Sequence, residues 1–439
     1  MTPAVYLVIL LICLFGGLAL GFPMAFTLGA SGIIVGLIYA GPRVLTIAAM
    51  QVYSGMVALS LVAMPLFIFI ACLLEKSGLA GELYEAIRHW LAPVPGGLGI
   101  ATVAVCTVIA AMSGVAAAGV ATMGIIALPI MLKYKYDKRI PLGAIMAGGA
   151  LGILIPPSVT AIIFGMLTHT SIGRLFAGGL IPGVILAAGY MTYIGLRCHF
   201  QPSLGPVVPV EERLTFRQKL AATRGVIIPI AIIVVMLGSI FLGMASLMES
   251  AGVGAAAILL AIALRRQLSW ELFKEACYRT FMINAIIMWI IFGAKVFATV
   301  FIDIGTAELV RGALAAAPVS PLMLVVFMQL SYVLLGCIVE EVTMLALTIP
   351  VYAPILTALG FEPVWFGVLF IINMQLGYLT PPFGYCLFYM RGVAPPGITI
   401  TDIYRSIFPF LAIQASVLAL VLFFPQLALW LPEEVFALM

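Results

Sequence analysis

Charge is what this chain has least of. Only 9% of its 439 residues are Asp, Glu, Lys or Arg, against 64% apolar; a soluble domain carries roughly 25% charged and about 45–50% apolar residues. That excludes a water-soluble enzyme, and with a mean hydropathy of +1.24 the chain reads as an all-α polytopic membrane protein. Histidine is nearly missing. His89, His169 and His199 fall near expected loop ends and form neither an HExxH motif nor a serial relay, so no metal role is assigned to them. The seven cysteines, Cys13, Cys72, Cys106, Cys198, Cys277, Cys337 and Cys386, stand singly and outside any CxxC, which gives neither a disulfide framework nor a zinc site. A net charge of +4 in scattered short clusters leaves nucleic acid no electrostatic footprint. No GxxxxGK[ST] loop occurs: Gly114 and Gly119 have the glycine spacing, but Val120-Ala121 follow, so nothing grips ATP phosphates. A GxSxG elbow and a protease-type carboxylate pair are also missing, which argues against an enzyme.

What is present is a succession of apolar runs. Spans need about 20 such residues, and candidates fall near 4–20, 24–40, 57–74, 97–112, 114–132, 141–170, 176–196, 225–247, 250–264, 281–302, 320–338, 342–358, 363–390 and 404–432. Met1-Thr2-Pro3 carries no basic n-region, so the first run is read as a spanning helix rather than a signal peptide. Small-residue pairs such as Gly17/Gly21, Gly32/Gly36, Gly148/Gly152 and Gly179/Gly183 would let helices approach closely. Basic residues concentrate in 133–139, 197–224 and 265–279, which are expected on the cytoplasmic side. The loops with Asp303, Glu308, Arg311 and Glu362, and the tail with Glu433 and Glu434, are net acidic and expected outside. Both termini are expected on that outer side.

The proline- and charge-rich stretch 197–224 divides the chain near its middle, and the halves echo one another. Thr122-Met123 and Pro129 recur 221 residues later as Thr343-Met344 and Pro350. Gly152 and Pro156-Pro157 recur 225 residues later as Gly377 and Pro381-Pro382. The four-residue drift is read as one insertion in the intervening loop. Because one copy is followed by the basic loop 133–139 and the other by Leu359–Pro363, the two are expected to be inverted repeats.

The double prolines remove backbone donors inside spans, and the freed carbonyls are tolerated at that depth only in protein or beside a cavity. With Ser158 and Thr380 alongside, they cluster oxygens suited to a hard cation such as Na⁺. Broken segments at matched places in inverted repeats point to a transporter's midplane site. Each is preceded by an interrupted segment, around Ser113-Gly114 in the first half and Gly336 to Glu340-Glu341 in the second, expected to be a re-entrant hairpin. Intramembrane charges are few: Glu249, Lys295, Glu340 and Glu341, each a functional candidate on the ground of its depth. With no ATP motif, energy has to come from an ion gradient.

Phe22-Pro23, Ala111 to Gly114, Leu151 to Ser158, Met248 to Gly254 and Gly377 to Gly384 together resemble the large membrane subunit of tripartite ATP-independent periplasmic (TRAP) transporters, over nearly the whole chain. The resemblance implies a Na⁺-driven elevator: scaffold helices over 1–91, a first transport repeat over 92–175 (hairpin 97–132, broken helix 141–170), further scaffold and connector over 176–302, a second repeat over 303–395 (hairpin 320–358, broken helix 363–390) and a C-terminal helix over 396–439. It implies two partners, a separate four-helix small membrane subunit and a soluble periplasmic binding protein that delivers an organic acid, a carboxylate or sulfonate. By resemblance, Na⁺ is held around Ser113, Gly114, Gly152, Ile155 and Ser158 at one site and Gly336, Gly377, Thr380 and Phe383 at the other. The solute falls to Pro157, Ser158, Glu340, Glu341 and Pro382. Many relatives follow the acid of the second hairpin with small hydroxyl residues; this chain has Glu340-Glu341. It also has Met248-Glu249 where members commonly carry a Thr-Glu pair. The alternative is a stand-alone Na⁺/organic anion symporter without a binding protein.

Overall fold

The computed structural model describes residues 2–436 apart from 59, 307, 308, 310, 311, 313–319, 337, 338, 382 and 383. Six residues discussed above, Met1, Glu308, Arg311, Cys337, Pro382 and Phe383, lie outside the described residues. Those described fold as helices without strands. In chain order these are α1 (Pro3–Ala19), α2 (Met24–Ala40), α3 (Arg43–Met56), α4 (Ser60–Lys76), α5 (Leu79–Leu91), α6 (Gly97–Ser113), α7 (Ala116–Lys133), α8 (Arg139–Ala150), α9 (Val159–Thr168), α10 (Ile172–Phe200), α11 (Phe216–Ala222), α12 (Arg224–Phe241), α13 (Leu247–Leu264), α14 (Trp270–Asp303), α15 (Pro321–Gly336), α16 (Glu341–Ala358), α17 (Pro363–Leu379), α18 (Tyr385–Val393), α19 (Ile400–Phe423) and α20 (Gln426–Phe436).

Among the described residues, seven helical stretches are long and apolar enough to cross a membrane; the other apolar runs fold as shorter pieces. The run 141–170 divides into α8, a 3-10 turn Leu151–Ile153 and α9, and 363–390 into α17 and α18. Pro156-Pro157 lies in the first gap and Pro381 in the second, and neither can donate to the preceding turn. The run 404–432 also divides, at Phe424-Pro425. Two helices were not expected from hydropathy. α3 is only moderately apolar, and α5 carries Glu82, Glu85, Arg88 and His89 on one face with Leu79, Leu83 and Tyr84 buried on the other, so neither makes a continuous apolar run.

The first halves of the broken helices are the pillars of one body. α8 is buried along nearly its whole length, and α17 is buried from Val364 to Leu379. Neither has a polar stripe, and small residues let neighbours close around α8 from every side. α10 packs beside the first break, where a Cβ on Gly179 would lie 2.6 Å from the Leu154 carbonyl oxygen. Inside this body lie two groups of buried amides. Asn373 Nδ2 donates to the Gln329 carbonyl (2.8 Å) and to Gln329 Oε1 (2.9 Å); Gln414 Nε2 donates to Gln375 Oε1 (2.8 Å), and the Tyr190 hydroxyl to Gln414 Oε1 (3.3 Å). A second group of helices is built around the long α14, which packs on α2, α3 and α4; Gly32 of α2 approaches the Phe297 backbone of α14 closely enough that a Cβ would sit 3.1 Å from it.

Helix starts also correct the repeat register. α7 and α16 begin at 116 and 341, α8 and α17 at 139 and 363, and α9 and α18 at 159 and 385. The spacing stays at 224–226 throughout. The loops after α7 and α16 therefore differ by a single residue, and no four-residue insertion exists. Thr122 lies in the second turn of α7 and Thr343 in the first of α16, so their likeness is offset by about one helical turn. An i to i+4 slip keeps a residue on the same helical face, which is why the pattern matched by eye.

Candidate functional site

The first break is assembled from two chain segments. α6 ends at Ser113, and Gly114 turns the chain with φ +68° while its N–H bonds to the Ala110 carbonyl (3.1 Å). Val115 is extended, and α7 begins at Ala116 without a side-chain cap. Against this tip lies the gap between α8 and α9. A Cβ on Gly114 would stand 2.5 Å from the Pro157 carbonyl oxygen, and one on Gly152 would stand 2.8 Å from that of Val115. Glycine is required at 114 on both counts, the left-handed turn and the close approach. Ser158 caps α9: its hydroxyl donates to the Ile153 carbonyl and accepts from Ala161 N–H (3.2 Å). The Ser113 hydroxyl is fully buried and has no hydrogen-bond partner among the described residues. Ile155 directs its side chain against Gly183 of α10.

The second break repeats the plan. α15 ends at Gly336, and a Cβ on Gly377 would lie 2.8 Å from the Gly336 carbonyl oxygen. The Thr380 hydroxyl donates back to the Leu376 carbonyl (2.6 Å), its N–H to Gly377 (3.2 Å), and its own carbonyl accepts from Gly384 N–H (3.0 Å). Glu340 caps α16, its Oε1 accepting from the Thr343 N–H (3.3 Å) and hydroxyl (3.1 Å). Thus Ser113, Gly114, Gly152 and Ser158 are brought together at one break, and Gly336, Gly377 and Thr380 at the other. In both clusters the polar atoms are carbonyl and hydroxyl oxygens, a donor set that suits a hard cation.

Between the two tips opens a cavity of about 460 Å³. Gly114–Ala116 and Val159 wall it from the first repeat, Glu340–Thr343, Tyr378 and Tyr385 from the second, and Ile68 of α4 with Ile283, Ile286, Ile287 and Ile290 of α14 from the other group of helices. Four helix N-termini, those of α7, α9, α16 and α18, end on its wall. Glu341 reaches across it, accepting from the Thr160 hydroxyl of α9 (3.4 Å). Of the solute residues expected from sequence, Glu340 and Glu341 line this cavity, whereas Ser158 and Pro157 are packed behind its wall. Sequence reasoning missed Tyr378 and Tyr385. Each stands three residues from a proline of the second break, and aromatics so placed beside a break are the signal that would have found them.

The remaining intramembrane candidates have local roles. Glu249 forms a capping box with Ser246, accepting from its N–H and hydroxyl (both 2.8 Å). Lys295 donates to the Ser54 hydroxyl (3.2 Å), joining α14 to α3. At the far side of the basic loop 133–139, Arg139 grips Asp137 through Nε (2.8 Å) and Nη2 (3.0 Å), which holds the Asp137 carboxyl below its usual range.

The profile of the tripartite ATP-independent periplasmic transporter, DctM component, matches residues 11–427. The chain belongs to this family. Among TRAP large permeases it is 29% identical to the ectoine/5-hydroxyectoine transporter's large permease from Ruegeria pomeroyi, over 96% of this chain and 97% of that one. It is 28% identical to the C4-dicarboxylate large permease of Pseudomonas aeruginosa, over 93% and 94%. The fold is also similar to the solved YdaH transporter of Alcanivorax borkumensis, with a TM-score of 0.66 at 13% identity over 91% of this chain and 96% of that one. As a TRAP large permease the chain is a membrane transport protein and not an enzyme.

Proposed function

We propose that this chain is the large membrane subunit of a Na⁺-driven TRAP transporter that imports a small organic acid across a bacterial inner membrane, with both termini periplasmic. The observation that carries this reading is the paired tip-and-break geometry, in which carbonyl and hydroxyl oxygens cluster at Ser113, Gly114, Gly152 and Ser158 and again at Gly336, Gly377 and Thr380. Na⁺ is the coupling ion at both clusters, with Ile155 and Phe383 completing the sets. The cavity between the tips is the solute site. Its four helix N-termini favour a carboxylate through their exposed amides and dipoles. Na⁺ binding draws each tip onto its break and so orders the cavity wall, a coupling usually worth about 1–3 kcal/mol.

In this reading the helix pairs α6–α7 and α15–α16 are re-entrant hairpins, and they move with α8–α9 and α17–α18 as one transport domain. That domain slides against the scaffold built around α14, carrying the cavity from one face of the membrane to the other. The names of the relatives favour the tripartite arrangement, with a separate small membrane subunit and a periplasmic binding protein that delivers the solute.

The test is uptake of labelled organic acids into proteoliposomes holding the chain and its co-encoded small membrane protein, with and without an inward Na⁺ gradient and the purified binding protein. Uptake that needs both supports the proposal. Uptake independent of the binding protein favours a stand-alone Na⁺/anion symporter, and uptake indifferent to Na⁺ removes the sodium sites.

A further inference from the structure

The cavity is electrically lopsided. Its charged wall residues are Glu340 and Glu341; no lysine, arginine or histidine lines it among the described residues. Glu340 is already engaged as the cap of α16. Glu341 is different. One of its oxygens accepts a long hydrogen bond from Thr160, while Oε2 is buried with no partner. A carboxylate withdrawn from water is costly until a counter-charge or donors satisfy it, and among the described residues neither reaches Oε2. A solute bearing only negative charge would deepen that deficit, since like charges repel strongly in a confined, poorly screened space.

The opposite wall has the reverse character. α7 starts at the cavity with no acidic residue in its first turn and no side-chain cap, so its first amides and its dipole are free to receive a carboxylate, whereas α9 is capped by Ser158 and lies within reach of Glu341. On the side of the second repeat, the rings of Tyr378 and Tyr385 lie with centroids 5.0 Å apart and planes inclined by 32°. Their faces suit a cation.

Building on the reading that this cavity is the solute site, we propose that its solute is a zwitterion: a small acid whose carboxylate meets the start of α7 and whose ammonium- or amidinium-type group pairs with Glu341 beside Tyr378 and Tyr385. Glu341 is thereby a specificity-determining residue, and a plain dicarboxylate is disfavoured.

The charge preference of the cavity can be measured without knowing the solute. In a chain with its seven cysteines replaced, a cysteine is introduced on the cavity wall by Ile286→Cys. Its modification rate is then followed with a trimethylammonium-bearing and a sulfonate-bearing methanethiosulfonate, each normalised to its rate with a free thiol. The proposal predicts a preference for the cationic reagent of roughly tenfold, as for one charge acting at a few ångströms in a partly screened site. Glu341→Gln should reduce that preference to near unity, and Glu341→Asp should retain it. Equal rates, a preference for the sulfonate, or a preference untouched by Glu341→Gln would overturn it. The readout needs neither Na⁺ nor a binding protein, so failure of the tripartite reading leaves it intact. Should Glu341→Gln fail to fold, the unmodified Glu341 background alone still decides the sign of the preference.

Discussion

Gly336 and Gly377 meet backbone to backbone: a Cβ on Gly377 would lie 2.8 Å from the Gly336 carbonyl oxygen. The contact joins the end of α15 to the last turn of α17, and no side chain larger than hydrogen fits between them. Gly377→Ala must therefore push the second tip away from its break. Overpacking of this kind typically destabilises by about 1–3 kcal/mol, and the displaced carbonyl would weaken cation binding. Uptake should fall to background while the purified protein unfolds at a modestly lower temperature. Normal uptake would show that the contact is packing alone.

At the first tip, Ser113 carries a fully buried hydroxyl without a partner among the described residues. An unsatisfied buried group costs about 1–3 kcal/mol, so a purely structural serine there would be improved by Ser113→Ala. If the hydroxyl is a Na⁺ ligand, the same change leaves stability without Na⁺ equal or higher and raises the Na⁺ concentration for half-maximal uptake by roughly tenfold, the equivalent of about 1.4 kcal/mol. Uptake as a function of Na⁺ separates the two, and an unshifted curve removes Ser113 from the site.

Ser158 acts through its hydroxyl as the cap of α9. Ser158→Ala should destabilise by about 1 kcal/mol, whereas Ser158→Thr keeps a capping oxygen and should unfold close to the unmodified protein. Thermal unfolding of the two variants side by side checks this. Equal losses from both would contradict the cap.

Glu249 illustrates how depth in a sequence misleads. Its carboxylate is held by Ser246 in a capping box at the exposed start of α13. Glu249→Gln keeps an acceptor and should leave uptake and Na⁺ dependence unchanged. Loss of transport in this variant would give it a role beyond the cap.

The breaks were legible because proline and glycine act locally: Pro156-Pro157 has to interrupt a helix whatever surrounds it, and Gly114 is one of few residue types at ease with its backbone turn. Proximity across the chain was not. Asn373, Gln375 and Gln414 look like ordinary polar interruptions of apolar runs, and only the packing of α17 against α15 and α19 turns them into two buried amide groups. Tyr378 and Tyr385 likewise gain meaning from the cavity they face. α5 escaped notice because its apolar face is only half of a short helix, and the repeat register slipped by a turn because helical faces recur every three to four residues.

Na⁺ bound at the tip-and-break clusters would hold each tip on its break and stabilise the folded chain. A ligand that binds only the folded state stabilises it by about 2.7 kcal/mol at a hundred times its dissociation constant. The thermal unfolding midpoint of the purified protein, measured across a titration of Na⁺ with K⁺ making up constant ionic strength, reads this directly. With Na⁺ held at the clusters, the midpoint climbs as Na⁺ rises. A midpoint that is the same in Na⁺ and K⁺ across the whole titration would mean that neither cluster binds the ion.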